Sequence, residues 1–176
     1  CTSFLYKDWN GYAAVCNFDA YSEREYYAVR HRKNVLIMAT KTGKDAVWDP
    51  ELRDRLPDLF GQFSNVLVRA HTDLTTQQGA DEIEHLAKRA DVIIIDEAHN
   101  FRNHGKTPSD ENPWGPRWGR MQEICKGKTV FLLTATPINN SLFDLVHQAE
   151  LFTGVDEDDY FASIGISSLR KYTVEL

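Results

Sequence analysis

Asp96 and Glu97 stand side by side, with His99 two residues on, at the end of the unbroken apolar run Val92-Ile93-Ile94-Ile95. Adjacent carboxylates are costly to bury unless a cation sits beside them. A hydrated Mg2+ carrying nucleotide phosphates meets that need. One acid can then hold the metal through water while the other polarises an attacking water. The plainer alternative is a strand that ends in solvent with two surface charges.

The elements that must position these acids follow from the hydrophobic pattern. Four β-branched residues without alternation read as a strand buried on both faces, as in a parallel sheet covered by helices. The acids then fall at the strand's carboxyl end, where open α/β sheets place their ligands. Val35 to Ala39, Asn65 to Ala70 and Thr129 to Leu133 read as further strands. Between them lie helical signals. Ser22-Glu23-Arg24-Glu25 is a capping box that opens a helix to about Arg32. Asp49 as cap with Pro50 at the first helical position predicts another, closed by Leu56 to Gly61. Ala80 to Ala90 sets Ile83, Leu86, Ala87 and Ala90 on one face. Arg117 to Cys125 offers Trp118, Met121, Ile124 and Cys125 as an apolar face, and Ser141 to Asp144 is a second capping box. This alternation predicts a parallel α/β sheet with right-handed crossovers. Residues 1–20 show no clean period, His104 to Pro116 reads as a surface loop, and His71 reads as an exposed polar residue.

Thr40-Lys41-Thr42-Gly43-Lys44-Asp45 follows a predicted strand and carries the Gly-Lys of a phosphate loop. The pattern fails twice. Met38 stands where a small residue is required, and Asp45 stands where a Ser or Thr would hold Mg2+. An Asp at that position repels phosphate.

The chain has 176 residues, enough for one sizeable core, with 42% hydrophobic and 26% charged residues as in ordinary globular proteins. The apolar runs are too short to span a bilayer and no signal peptide precedes them, so no membrane partner is expected. Cys1, Cys16 and Cys125 form no CxxC pair. Reduced thiols in a cytoplasmic or DNA-associated intracellular protein account for them. The net charge of −6 argues against coating nucleic acid by charge alone. The segment Arg24–Lys44 nevertheless holds six basic residues against one acid, Glu25, a patch compatible with a DNA track or with a solvated helix face. The first residue is Cys, so the chain reads as a fragment or an incomplete reading frame.

Asp96-Glu97-Ala98-His99 resembles the DEAH box of superfamily 2 helicases and translocases, and Asn100-Phe101-Arg102-Asn103 is similar to its continuation in the Swi/Snf-like branch. Leu132-Leu133-Thr134-Ala135-Thr136-Pro137-Ile138-Asn139-Asn140 resembles that family's motif III, and Ala46 to Leu52 its motif Ia region. The resemblance covers roughly residues 34–154 and implies a RecA-like, three-layer lobe of the P-loop NTPase type. Residues 1–33 would form an N-terminal segment and helix, and 155–176 an acidic, Ser-rich tail. The resemblance implies ATP and Mg2+ as cofactors, double-stranded DNA as a partner, and a second RecA-like lobe that closes on the nucleotide. Asp96 is then the Mg2+ ligand through water, Glu97 the general base, and His99 with Thr134, Ala135 and Thr136 the link from hydrolysis to motion. Lys41, Thr42 and Lys44 are candidate contacts to DNA phosphates, with an exposed turn as the alternative.

Two family parts have no counterpart in this sequence, the Gly-x-Gly-Lys-Thr loop and the second lobe. The expectation is therefore an ATP-hydrolase lobe that is inert alone, truncated or decayed. A second reading is a non-catalytic nucleic-acid- or partner-binding module with the same fold. A third is a metal-dependent hydrolase built on Asp96, Glu97, His99 and His104, although that spacing matches no established zinc pattern.

Overall fold

The computed structural model describes residues 2–7, 13–18, 34–55, 65–104, 117–153, 168, 170, 171 and 173. Six strands form one sheet: β1 (Thr2–Lys7), β2 (Ala13–Phe18), β3 (Val35–Ala39), β4 (Val66–Ala70), β5 (Val92–Ile95) and β6 (Thr129–Thr134), in the order β2-β1-β6-β5-β3-β4. The four strands β6, β5, β3 and β4 are parallel, as their pattern predicts. The sheet as a whole is mixed, because β1 runs antiparallel to both β2 and β6. Residues 1–20 thus contribute two strands that their irregular pattern did not announce. The helix predicted from Ser22, the Leu56–Gly61 segment, the loop after His104 and the acidic run after Gly154 lie outside the described residues.

Strand periodicity divides the core into two faces. Leu36, Met38, Ile93, Ile95, Val130 and Leu132 face one side. They pack beneath α3 (Gln77–Arg89), α4 (Arg117–Cys125) and α5 (Phe143–Thr153), through Ile83, Met121, Ile124 and Leu151 among others. Val35, Ile37, Val66, Val68, Val92, Ile94, Phe131 and Leu133 face the other side and meet Trp48 and Leu52. Helix, sheet and helix make the three-layer RecA-like arrangement. Each of these side chains contributes about 1.5–3 kcal/mol by leaving water, and β3 and β5 accordingly carry only apolar residues.

The segment after β3 departs from expectation. It is helical from its first residue: α1 (Lys41–Gly43), a π-helical turn over Lys44–Trp48, then α2 (Asp49–Arg55). Thr40 is the cap, its hydroxyl accepting from Gly43 N at 3.0 Å. Asp49 lies inside the helical stretch with right-handed dihedrals and donates its N–H to Lys44 O. Pro50 has no N–H to return to the preceding turn, and the wide turn sits just ahead of it, where a proline ring needs room. Gly43 serves close packing there and not a phosphate cradle. A Cβ on it would stand 2.9 Å from the Thr40 hydroxyl.

Two other helix starts are shifted. α3 begins at Gln77, where the Thr76 hydroxyl accepts from Gly79 N. α5 begins at Phe143, and Ser141 Oγ accepts from Phe143 N. Asp144 reaches back further than a capping box requires, its carboxylate accepting from Asn139 N and Asn140 N at 2.9 Å each. Those backbone donors hold Asp144 below the usual carboxylate range.

Candidate active site

β5 ends at Ile95, and its ladder continues for one residue as Asp96 N donates to Met38 O at 2.8 Å. The strand period puts Asp96 on the face of Ile94, the face that carries Trp48. Trp48 is 4% exposed, and its indole Nε1 donates to Asp96 Oδ2 at 2.7 Å. Asp96 Oδ1 accepts from Glu97 N at 3.0 Å. Each carboxylate oxygen keeps a lone pair for a further donor.

Glu97 then takes a left-handed conformation, φ 50° and ψ 48°, the one positive φ at a non-glycine residue among those described. Such a residue stores roughly 1–2 kcal/mol of strain. The turn reverses the chain into the short 3-10 segment Ala98–Phe101, whose Ala98 and Phe101 are buried. Glu97 Oε2 is buried without a hydrogen bond. It lies 3.1 Å from His99 Nδ1, without hydrogen-bond alignment. The same Nδ1 lies 3.1 Å from Thr134 Oγ1 at the end of the neighbouring β6. Thr134 Oγ1 also accepts from Thr136 N at 3.2 Å. His99 thus touches both the acid pair and the Thr134–Thr136 turn, two motifs 35 residues apart in sequence. Ala135 and Thr136 are exposed beside it.

The acid pair fits a hydrated Mg2+. Asp96 has spare lone pairs on an oriented carboxylate, and Glu97 presents an orphaned buried oxygen, the atom that a bound water would satisfy.

His71 corrects the sequence reading. It is 2% exposed, beneath an edge-on Phe101 ring at 5.0 Å, with Nε2 lacking a partner. Burial is the main cause that lowers its pKa to about 4, against a hydrogen bond to the Met38 backbone and the field of Asp96. His104 corrects the third reading. It does not join Asp96, Glu97 and His99 but lies against α5, its Nε2 2.9 Å from Glu150 Oε2. Burial and then the neighbouring His147 hold it below the ordinary histidine range.

Lys41, Thr42 and Lys44 sit on the first helical turns after β3. Lys41 and Thr42 are exposed, and Lys41 Nζ is 3.8 Å from Asp45. Lys44 is bound inward, 2.6 Å from Asp49 Oδ2 and 3.5 Å from Asp45 Oδ1. Its hydrogen bond with Asp49 raises its pKa. Sequence reasoning passed over Trp48 as a partner of the acids, although a buried indole must find an acceptor and Asp96 was the one apt acid nearby.

Among the described residues no helix is long and apolar enough to cross a membrane. Comparison with curated proteins and with solved structures found no match. The family model described as type III restriction enzyme, res subunit, matches residues 53–139, from within α2 through the acid pair to the turn after β6. The matched stretch is similar to that family, a superfamily 2 helicase-related domain, and its parallel strands and flanking helices have the RecA-like fold.

Proposed function

We propose that this chain is the first ATPase lobe of a DNA-dependent, Swi/Snf-like translocase, which in a two-lobed protein couples Mg-ATP hydrolysis to movement on double-stranded DNA. The observation that carries the proposal is the bridge from Glu97 through His99 to Thr134 across the carboxyl ends of two adjacent parallel strands. A purely structural turn has no need of a strained acid with a buried oxygen that no hydrogen bond satisfies.

In this reading Asp96 is oriented by the Trp48 indole and the Glu97 amide, so its carboxylate need not be organised when nucleotide arrives. Bound Mg2+, held through water by Asp96, supplies charge neutralisation at the phosphate oxygens. Glu97 accepts a proton from the attacking water at Oε2. His99 then trades its contact between Glu97 and Thr134, which passes the change to the exposed Thr136 turn. Lys41 and Thr42 contact DNA phosphates from the helix after β3. Lys44 does so after release from Asp49. Residues 34–154 carry the lobe's motifs, and β1 and β2 add two strands to its sheet. No stretch of this sequence matches a phosphate loop, so the chain alone is expected not to turn over ATP.

The test is Glu97→Gln in a two-lobed protein carrying this lobe. Nucleotide binding stays near the parent's while DNA-stimulated phosphate release falls by about 10²–10⁴-fold. Near-parent turnover would remove Glu97 from the mechanism. Duplex binding with no nucleotide binding in the parent would favour a non-catalytic module.

A further inference from the structure

Away from the acid pair, the described residues bring a different set of ligand-type side chains together. His104, His147 and Glu150 each place one ligand atom within 4.8 Å of the other two. We propose that these three side chains form a site for a divalent transition-metal ion of the Zn2+ class, which clips the segment after the acid pair to α5.

The donors are arranged for that role. His147 and Glu150 are three residues apart on α5 and so share one face. His147 Nδ1 donates to Arg102 O at 2.6 Å, which leaves Nε2 as the lone-pair nitrogen. A backbone carbonyl on the second ring nitrogen is how metal-bound imidazoles are usually oriented. The His104 ring is held between Trp118, at 4.0 Å between centroids, and His147, at 4.2 Å. Its Nε2 donates to Glu150 Oε2 at 2.9 Å, and an ion that takes both atoms displaces that one proton to solvent.

Glu150 is 4% exposed, and a carboxylate so buried requires a cation. Arg170 serves it here, donating from Nε to Oε1 and from Nη2 to Oε2. The Arg170 side chain is 41% exposed and covers the cluster from outside. A metal would take Oε2 and leave Oε1 to Arg170, as ligating carboxylates are themselves hydrogen-bonded. Two imidazoles and one carboxylate with an open fourth position suit Zn2+, whereas Mg2+ and Ca2+ ask for oxygen throughout. The proposal is independent of the ATPase reading.

The full chain, stripped with chelator and dialysed, is titrated with Zn2+ alone by calorimetry. It is then titrated with Co2+, followed by the visible bands of four-coordinate cobalt. Expected are one equivalent bound and a loss of affinity of about tenfold or more in His104→Gln and His147→Gln. Asp91→Asn, at an acid outside the cluster, should bind as the parent does. No binding by the parent, parent-like binding by both histidine variants, or loss on changing Asp91 would each overturn the proposal. Should a variant fail to fold, the parent's cobalt spectrum decides, since octahedral or absent bands exclude the site.

Discussion

The two ends of β5 carry the same kind of residue and treat it in opposite ways. At the amino end, Asp91 accepts from Asn34 N at 2.9 Å and from Asn34 Nδ2 at 3.5 Å. Its own N–H and C=O join Asn34 and Thr129, and Lys128 Nζ donates to Ala90 O at 2.7 Å. Every polar group named there has a partner. At the carboxyl end, Glu97 is left-handed, its Oε2 is orphaned, and His71 Nε2 is orphaned close by. The strand between is apolar throughout. The amino end fastens strands, whereas the carboxyl end leaves polar atoms without hydrogen bonds, the arrangement that the proposed nucleotide site requires.

The sharpest way to break this contrast is to neutralise an acid at each end in a two-lobed protein. Glu97→Gln is expected to lower turnover by about 10²–10⁴-fold, while Asp91→Asn leaves turnover near the parent's. Equal losses in a phosphate-release assay would erase the distinction. Acid titration gives the next largest effect. His71 is neutral when folded and protonates when unfolded, so its folded pKa of about 4 lies below the ordinary 6.5. Its contribution is complete above about pH 6.5 and is lost as pH falls toward 4, roughly 3 kcal/mol in all. Denaturant melts of the parent and His71→Phe between pH 7 and 4 should converge by about that amount. Parallel curves would mean His71 is not buried neutral.

Smaller changes refine the picture further. Asp91→Ala should destabilise by about 1 kcal/mol through loss of the Asn34 bonds. Glu97→Gly should stabilise by a similar ~1 kcal/mol, because glycine accepts positive φ and removes the orphaned oxygen. A destabilised glycine variant in a thermal melt would show that the turn holds no strain. Last, Lys41→Ala with Lys44→Ala should flatten the salt dependence of duplex binding by about one unit of slope per lost phosphate contact. Lys44 already pairs with Asp49, so a change of one unit rather than two would assign the contact to Lys41.

Much of the carboxyl end was legible beforehand. Val92 to Ile95 could only be a doubly buried strand, and the run Thr134-Ala135-Thr136-Pro137 ended another, so the meeting of His99 with Thr134 needed only that β5 and β6 be neighbours. The hidden parts depend on tertiary packing, which local pattern does not encode. His71 follows a strand whose buried and half-buried residues alternate, and nothing local says that Phe101 will close over it. The helix after β3 was misread because Asp49-Pro50 is a strong start signal, yet Thr40 three residues before Gly43 is an equally good one. β1 and β2 were illegible because no period marks them, and β6, the strand through which β1 joins the rest of the sheet, is distant in sequence.

That pairing has a consequence for how the chain folds. The β1–β2 hairpin is local and can close within microseconds. The β5–β6 and β3–β5 pairs need crossovers, and β1 must wait for β6, which is made after the other five strands. During synthesis the β6-facing edge of β1 therefore waits longest, with a row of free N–H and C=O groups along Ser3–Lys7. Aggregation of nascent or refolding chains is expected to begin at that edge, before any chemistry at the acid pair is possible.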